Sequence, residues 1–288
     1  MNITYKFLHN SILDELYDCW KRSFADYVVD MSYFTKERMF YRTLMDRVDY
    51  EYSVGAYDGD TMIGFLVLGI DDWKGKKYAF DAGTGIIKEY RGQGVAGKMF
   101  DHAVEKLKSE NIDKVALEVI QSNEAAIKAY QKSGFEIAKN YNCYQLKTKE
   151  IGLTPTIPKE FNIRLISFEE YSKYTDLLDW EISWEYNESA IKHIEDEFII
   201  LGIEKQQRLI GFIAYYPRLH WIFQLAVGED YKDQNIEKYL LSAILELMRD
   251  KTDLIKINNI PEAHQMNNKL MEFGFEEYIK QFEMEKTL

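Results

Sequence analysis

Residues 3–9 alternate apolar and polar side chains, the two-residue period of a half-buried strand. From 11 to 27 the period lengthens. Ile12, Leu13, Leu16, Tyr17, Trp20 and Phe24 recur at helical spacing, with Ser11 placed to cap the first turn. A second helix is predicted over 35–47, with Thr35 as its cap. Strand-like runs follow at 51–57 and 61–70, flanking Asp58-Gly59-Asp60, where Asp-Gly supplies the positive φ of a tight hairpin. Residues 76–87 read as a strand interrupted by Gly83 and Gly85, 95–110 as an amphipathic helix and 114–120 as a buried strand. Residues 123–134 read as a helix ended by Gly134, and 135–147 as a closing hairpin. The order β-α-α-β-β-β-α-β-α-β-β predicts an α/β domain with a mixed sheet.

Periodicity then fades. A linker is expected over 149–160, which holds Pro155 and Pro158. Beyond it the pattern returns. "FNIRLIS" matches the opening strand, and "LIGFIAYY" echoes "MIGFLVLG". "DYKDQNIEKYLLSAILELM" echoes "EYRGQGVAGKMFDHAVEKL", and "NNKLMEFGFEEY" echoes "AIKAYQKSGFEI". Four echoes in one order indicate two copies of one fold, residues 1–148 and 161–288. The copies differ at the start of the long helix. Arg91, Gly92, Gly94 and Ala96 of the first copy face Lys232, Asp233, Asn235 and Glu237 of the second.

Composition narrows the function. A hydrophobic fraction of 46% with 15% aromatic residues supports packed cores. The formal net charge of -12 argues against a nucleic-acid backbone as partner, which calls for a basic face, and is compatible with a cationic substrate. Two distant cysteines, Cys19 and Cys143, make no disulfide framework, so a reduced, cytoplasmic protein is expected. The opening residues lack a signal-peptide pattern, and no run reaches the ~18 apolar residues of a membrane span. Five histidines without ligand spacing give no reason to expect a metal.

"YRGQGVAGKM" carries the chemistry. Gly92, Gly94 and Gly97 fit the dinucleotide fingerprint, but four residues separate the strand from Gly92. Gly92, Gly97 and Lys98 fit most of a P-loop, but Met99 stands where a Mg²⁺-binding hydroxyl is required. The pattern Arg91-x-x-Gly94-x-Ala96 fits a third anion loop. Bare amides at a helix start converge on a diphosphate, small residues let it approach, and Arg91 and Lys98 add charge at the rim.

The stretch from Ala82 to Ile137 resembles the core of a GNAT-family N-acetyltransferase: strand, R-x-x-G-x-A loop, helix, "LEV" strand, then "N-x-x-A-I-x-x-Y-x-x-x-G-F". The resemblance covers residues 1–147, and the second half resembles a degenerate copy. Lys88 stands where the family often has proline. The resemblance implies acetyl-CoA as cosubstrate and a primary amine of a small molecule or peptide as acceptor. Pantetheine would lie along the backbone of Gly85, Ile86 and Ile87, and Gly83 and Gly85 would form a bulge that opens the sheet. The diphosphate would sit on Arg91, Gly92, Gln93, Gly94, Val95, Ala96, Gly97 and Lys98. Asn123 would bind pantetheine or cap a helix. Tyr130 is implied as general acid, and Glu118, with Asp81 as a second candidate, as general base. Phe24, Tyr27, Tyr33, Phe34, Phe40 and Tyr41 would lie on the acceptor side. The second copy would buttress the site, shape the acceptor cleft or mediate a homodimer. A noncatalytic acyl-CoA sensor stands as the alternative. The acceptor stays open among aminoglycosides, polyamines, amino acids and protein N-termini.

Overall fold

The opening alternation becomes strand β1 (Ile3–Phe7), and the helical run becomes α1 (Leu13–Ser23). These come from a computed structural model that describes residues 2–10, 12–150 and 156–288. The proposed cap Ser11, and Pro155 of the expected linker, lie outside the described residues. Helix α2 (Lys36–Met45) does start at Thr35, whose hydroxyl accepts the Arg38 amide. Strands β2 (Val54–Asp58), β3 (Thr61–Trp73) and β4 (Lys76–Ile86) then form successive antiparallel hairpins. Gly59 supplies the positive φ at the first turn. Helix α3 (Val95–Ser109), β5 (Lys114–Ile120), α4 (Glu124–Lys132) and β6 (Glu136–Lys147) complete the first half.

The second half repeats the order. It has β7 (Phe161–Leu165), the short helices α5 (Phe168–Tyr171) and α6 (Glu188–Lys192), and β8 (Ile199–Lys205), β9 (Arg208–Tyr216) and β10 (Trp221–Val227). It ends in α7 (Ile236–Met248), β11 (Leu254–Pro261), α8 (Met266–Phe273) and β12 (Glu276–Thr287). Trp184 is fully buried in its core, while Trp180 and Trp221 are half-buried.

Two compact units result. Unit 1 comprises Met1–Lys139 with Phe282–Leu288, and unit 2 comprises Asn140–Gln281. In unit 1 the strands run β1-β2-β3-β4-β5-β12, and in unit 2 β7-β8-β9-β10-β11-β6. Relative to a division at residues 148 and 161, each unit takes its last strand from the other half of the chain. The closing hairpin expected at 135–147 is therefore a single strand that enters unit 2 after Lys139. Asn140 and Asn142 favour turns in isolation. Here they stay extended, and their side-chain amides donate to Glu262 and Asn267.

In unit 1 the borrowed strand is held by charge. Lys74 Nζ donates to Glu283 at 2.8 Å and to Glu285 at 2.7 Å, and Lys114 donates to Glu285 at 2.8 Å. Met284 enters the core, and the Leu288 amide reaches Asp113 O. Helix α3 covers one face of the sheet through Val95, Met99, Phe100, Ala103 and Leu107, all buried on one helical stripe. Full burial of each larger side chain contributes about 1.5–3 kcal/mol. Helix α1 packs on β3 and β4 of the same unit through Leu16, Cys19, Trp20 and Ser23.

Candidate active site

The parallel ladder between β4 and β5 runs from Tyr78–Lys114 to Asp81–Leu117 and stops, although β4 continues to Ile86 and β5 to Ile120. At the same point β4 bulges. Val67 pairs with Gly83 and Leu68 with Asp81, so Ala82 is the extra residue. The bulge fits the expectation from the two glycines, and it does not break the strand. Its consequence is geometric. Residues 81 and 84 lie three apart and would face opposite sides of a regular strand; the bulge puts them on one side.

On that side Asp81 gathers three donors. Gly83 N donates to Oδ1 at 3.0 Å, Thr84 Oγ1 to Oδ2 at 2.7 Å and Tyr130 Oη to Oδ2 at 3.2 Å. Burial pushes the Asp81 carboxyl up to about 6, although the hydrogen bonds from Thr84, Tyr130 and Gly83 pull it down. Burial also lifts the Tyr130 phenol well above its ordinary 10.0, and the Asp81 charge adds to the rise. The phenol therefore holds its proton throughout the neutral range.

The opposite face is closed at Gly85. A β-carbon there would fall 2.5 Å from two ring carbons of Phe65 and 3.0 Å from Ser23 Cβ on α1. Only glycine lets α1 approach this closely. Neighbours across a ladder share a face, so the Asp81–Leu117 pairing turns Glu118 toward this α1 side. Glu118 is half-buried there, and the sheet separates it from Tyr130. Tyr27, just beyond α1, bridges the gap. Its hydroxyl bonds to the side chain of Asn123, and burial raises its pKa. Asn123 caps α4, its side-chain oxygen accepting the Ala126 amide at 3.2 Å.

The anion loop sits beside this pair of strands. Ile86 ends β4, Ile87 leads into a short 3₁₀ turn over Lys88–Tyr90, and α3 starts at Val95 after Gly94. Gly92 (φ 75°) and Gly94 (φ 77°) adopt the left-handed conformation that disfavours other residues. β-Carbons at Gly92, Gly94 or Gly97 would meet nothing within 4 Å. The first turn of α3 has no side-chain cap and no acidic residue. Gln93 turns back to Glu89 O, Val95 is buried, Ala96 and Gly97 are half-buried, and Lys98 is exposed. The helix start thus presents bare amides beside open space, which fits an anionic phosphate group.

Arg91 behaves differently from the rim charge expected of it. Its Nη1 and Nη2 donate to the two Asp26 oxygens at 3.0 and 2.7 Å, Nη2 also to Ser23 O at 2.8 Å, and Nε to Ile86 O at 3.1 Å. The guanidinium holds the Asp26 carboxyl below its ordinary value. Neither Asp26 nor Thr84 was legible in the sequence. Thr84 needs the bulge to reach Asp81, and Asp26 lies 65 residues from its partner.

The family model of the acetyltransferase (GNAT) family matches residues 9–135 and 161–275. The N-alpha-acetyltransferase 30 of Schizosaccharomyces pombe is 35% identical over 86 residues, 30% of this chain and 57% of that protein. The L-amino acid N-acetyltransferase AaaT of Escherichia coli is 28% identical over 115 residues, 40% of this chain and 70% of that protein. The matched stretches span between 29% and 70% of the length of curated relatives such as these. Among solved structures, a tandem GNAT protein from the clavulanic acid biosynthesis pathway superposes with a TM-score of 0.76, covering 99% of this chain and 98% of that one. At 14% identity that likeness speaks for the fold alone.

Proposed function

The chain belongs to the GNAT acetyltransferase family, and from that premise we propose that unit 1 transfers an acetyl group from acetyl-CoA to a primary amine. One observation carries the reading: the bare amide end of α3 opens beside the split between β4 and β5, where Asp81, Thr84 and Tyr130 meet. Bound acetyl-CoA supplies an activated acetyl thioester and a thiol leaving group. The amides from Gly92 to Gly97, aided by the α3 dipole and Lys98, hold its diphosphate. Gly85, Ile86 and Ile87 lie beyond the end of the parallel ladder and line the pantetheine arm. Asn123 marks the other wall.

The two faces divide the proton work. Tyr130 Oη keeps its proton, held on Asp81 at rest, and turns it to the leaving thiolate as the C–S bond breaks, while Asp81 and Thr84 fix the position of the phenol. Glu118, on the α1 side, accepts the proton of the attacking amine. The connection between α1 and α2, together with α2 itself, supplies the aromatic wall of the acceptor side, with Tyr33 and Phe40 exposed to meet the substrate. Unit 2 serves as structural support.

The test is thiol release from acetyl-CoA over a panel of amines, paired with calorimetry of acetyl-CoA binding. Release with at least one amine, reduced in Tyr130→Phe and in Glu118→Gln, is the expected outcome. Tight binding without release for any amine would favour the sensor reading. No heat of binding would remove both.

A further inference from the structure

The arginine of the anion loop has little left to give a phosphate. A guanidinium carries five N–H groups. In Arg91, four of these bonds are already made: two to Asp26, one to Ser23 O and one to Ile86 O. These partners are the last residue of α1, the residue three beyond it and the last residue of β4. The side chain thus ties the root of the loop to the end of α1. That helix end packs on Gly85, and the chain leaving it carries Tyr27 to Asn123.

Unit 2 gives an independent reading of the same position. Its loop has lost the open glycine path, with Asp233, Asn235 and Glu237 in place of Gly92, Gly94 and Ala96. The cation survives as Lys232, and it still pairs with an acid, Asp179, at 2.6 Å, just beyond the 3₁₀ turn Ser172–Leu177 that continues α5. An ion pair kept where the anion path is gone works for the fold of the loop.

We propose that Arg91 and Asp26 form a positioning strut, which shapes the loop for the cosubstrate without touching its phosphates. The proposal rests on the acetyl-CoA reading above. Asp26 is the discriminating residue. If Arg91 were a phosphate ligand, Asp26→Asn would remove a negative charge, free the guanidinium, and leave acetyl-CoA binding unchanged or tighter. If the pair is a strut, the same substitution loosens the loop and weakens binding. Lys88 also faces Asp26, at 3.5 Å, so its charge stays in place throughout.

The experiment is a double-mutant cycle of Asp26→Asn and Arg91→Met, with acetyl-CoA affinity measured by calorimetry at two salt concentrations. Each single variant is expected to weaken binding roughly fivefold, the double variant no further, and the salt dependence to stay as in the wild type. Arg91→Lys, the solution unit 2 uses, should restore most of the affinity. Unchanged or tighter binding in Asp26→Asn, or additive losses with a shallower salt dependence in Arg91→Met, would overturn the strut. Hydrogen exchange on the same variants needs no ligand. Faster exchange at the end of α1 and at the loop amides, equal in both single variants, is expected, and unchanged exchange in both would also overturn it. A wild type that binds no acetyl-CoA sinks the functional reading alone, because the exchange data still judge the pair.

Discussion

Units 1 and 2 share a backbone and differ in what they place on it. Both bulge at the same point of the sheet. In unit 2 the register shifts between Ile222 and Gln224, which puts Phe223 where unit 1 has Ala82. Both keep a glycine where two strands approach. A β-carbon at Gly64 would fall 3.1 Å from Gly85 O, and one at Gly211 would fall 2.8 Å from Ala226 O. Both start the long helix from a left-handed residue, Gly94 or Asn235. Asparagine tolerates that conformation better than most residues, so the loop could lose its glycine and keep its path. The chemistry did not survive. Asp81, Thr84 and Tyr130 correspond to Ile222, Leu225 and Leu270, three members of one aliphatic core. The anion path now carries paired side chains as well. Glu237 pairs with Lys269, Lys232 with Asp179 and Glu229, and His264 with Asp179. The pocket among Asp179, Lys232, Glu237, His264 and Lys269 holds about 10 Å³, room for at most one water, and a second of about 70 Å³ lies against Asn235 and Lys238. A fold can thus keep its bulge and helix start without the polar cluster and the glycine loop, because the same features also satisfy backbone packing.

Moving unit 2's side chains into unit 1 tests that contrast most severely. Ala96→Glu places a carboxylate at the proposed diphosphate site, so acetyl-CoA affinity should fall by about three orders of magnitude, measured by calorimetry. Gly94→Asn in the same loop should leave the fold intact by circular dichroism. If Ala96→Glu binds as the wild type does, the anion lies elsewhere.

The borrowed strands come next. Unit 1 holds β12 by charge, whereas unit 2 holds β6 by neutral amides such as the Asn142–Asn267 pair. Lys74→Met removes one ammonium shared by the buried Glu283 and by Glu285, and should destabilise unit 1 by about 3 kcal/mol in urea. A single unfolding transition unmoved by this change would refute the clasp.

Asp81 gives the contrast a pH signature. Its carboxyl rises from an ordinary 3.8 to about 6 on folding, so the folded state holds this proton more tightly. The resulting stabilisation is complete below 3.8 and is lost as pH rises through 6. The full swing corresponds to about 3 kcal/mol. Asp81→Asn should therefore be more stable than the wild type at pH 8 by up to that amount and equal to it near pH 3.5, by denaturant titration at both values. Equal pH profiles for the two proteins would show that Asp81 is solvated.

Tyr130→Phe removes the proton donor and, with it, one of the three hydrogen bonds to Asp81. Turnover should drop about a hundredfold while acetyl-CoA affinity stays within about twofold. An equal loss in both would make Tyr130 a binding residue. The smallest effect belongs to unit 2: Glu237→Gln combined with Lys269→Met should change turnover by less than about twofold, since this ion-paired cleft takes no part in the reaction.

Much of this was legible in the chain because it is written in local periods and local glycines. The helical stripe of α3, the Thr35 cap, the Gly59 turn and the repeat of the pattern after residue 160 each depend on residues a few positions apart. The loop from Arg91 to Lys98 reads as an anion site for the same reason. Tyr130 and Asp81 each drew attention alone, but nothing in the sequence joined them.

What the amino-acid sequence determined by itself was the kind of parts: two copies of one α/β pattern, one with a glycine-lined helix start and one with side chains in its place. Tertiary structure alone decided the pairings. It joined Asp81 to Thr84 through one extra residue, turned Glu118 to the other face, set Arg91 on Asp26, and carried β6 and β12 across the division between the halves. The physical reason is range. Helix periods, caps and turns are set by neighbours along the chain, whereas strand register and side-chain partnership are set by whichever distant segment supplies the matching ladder and the matching charge.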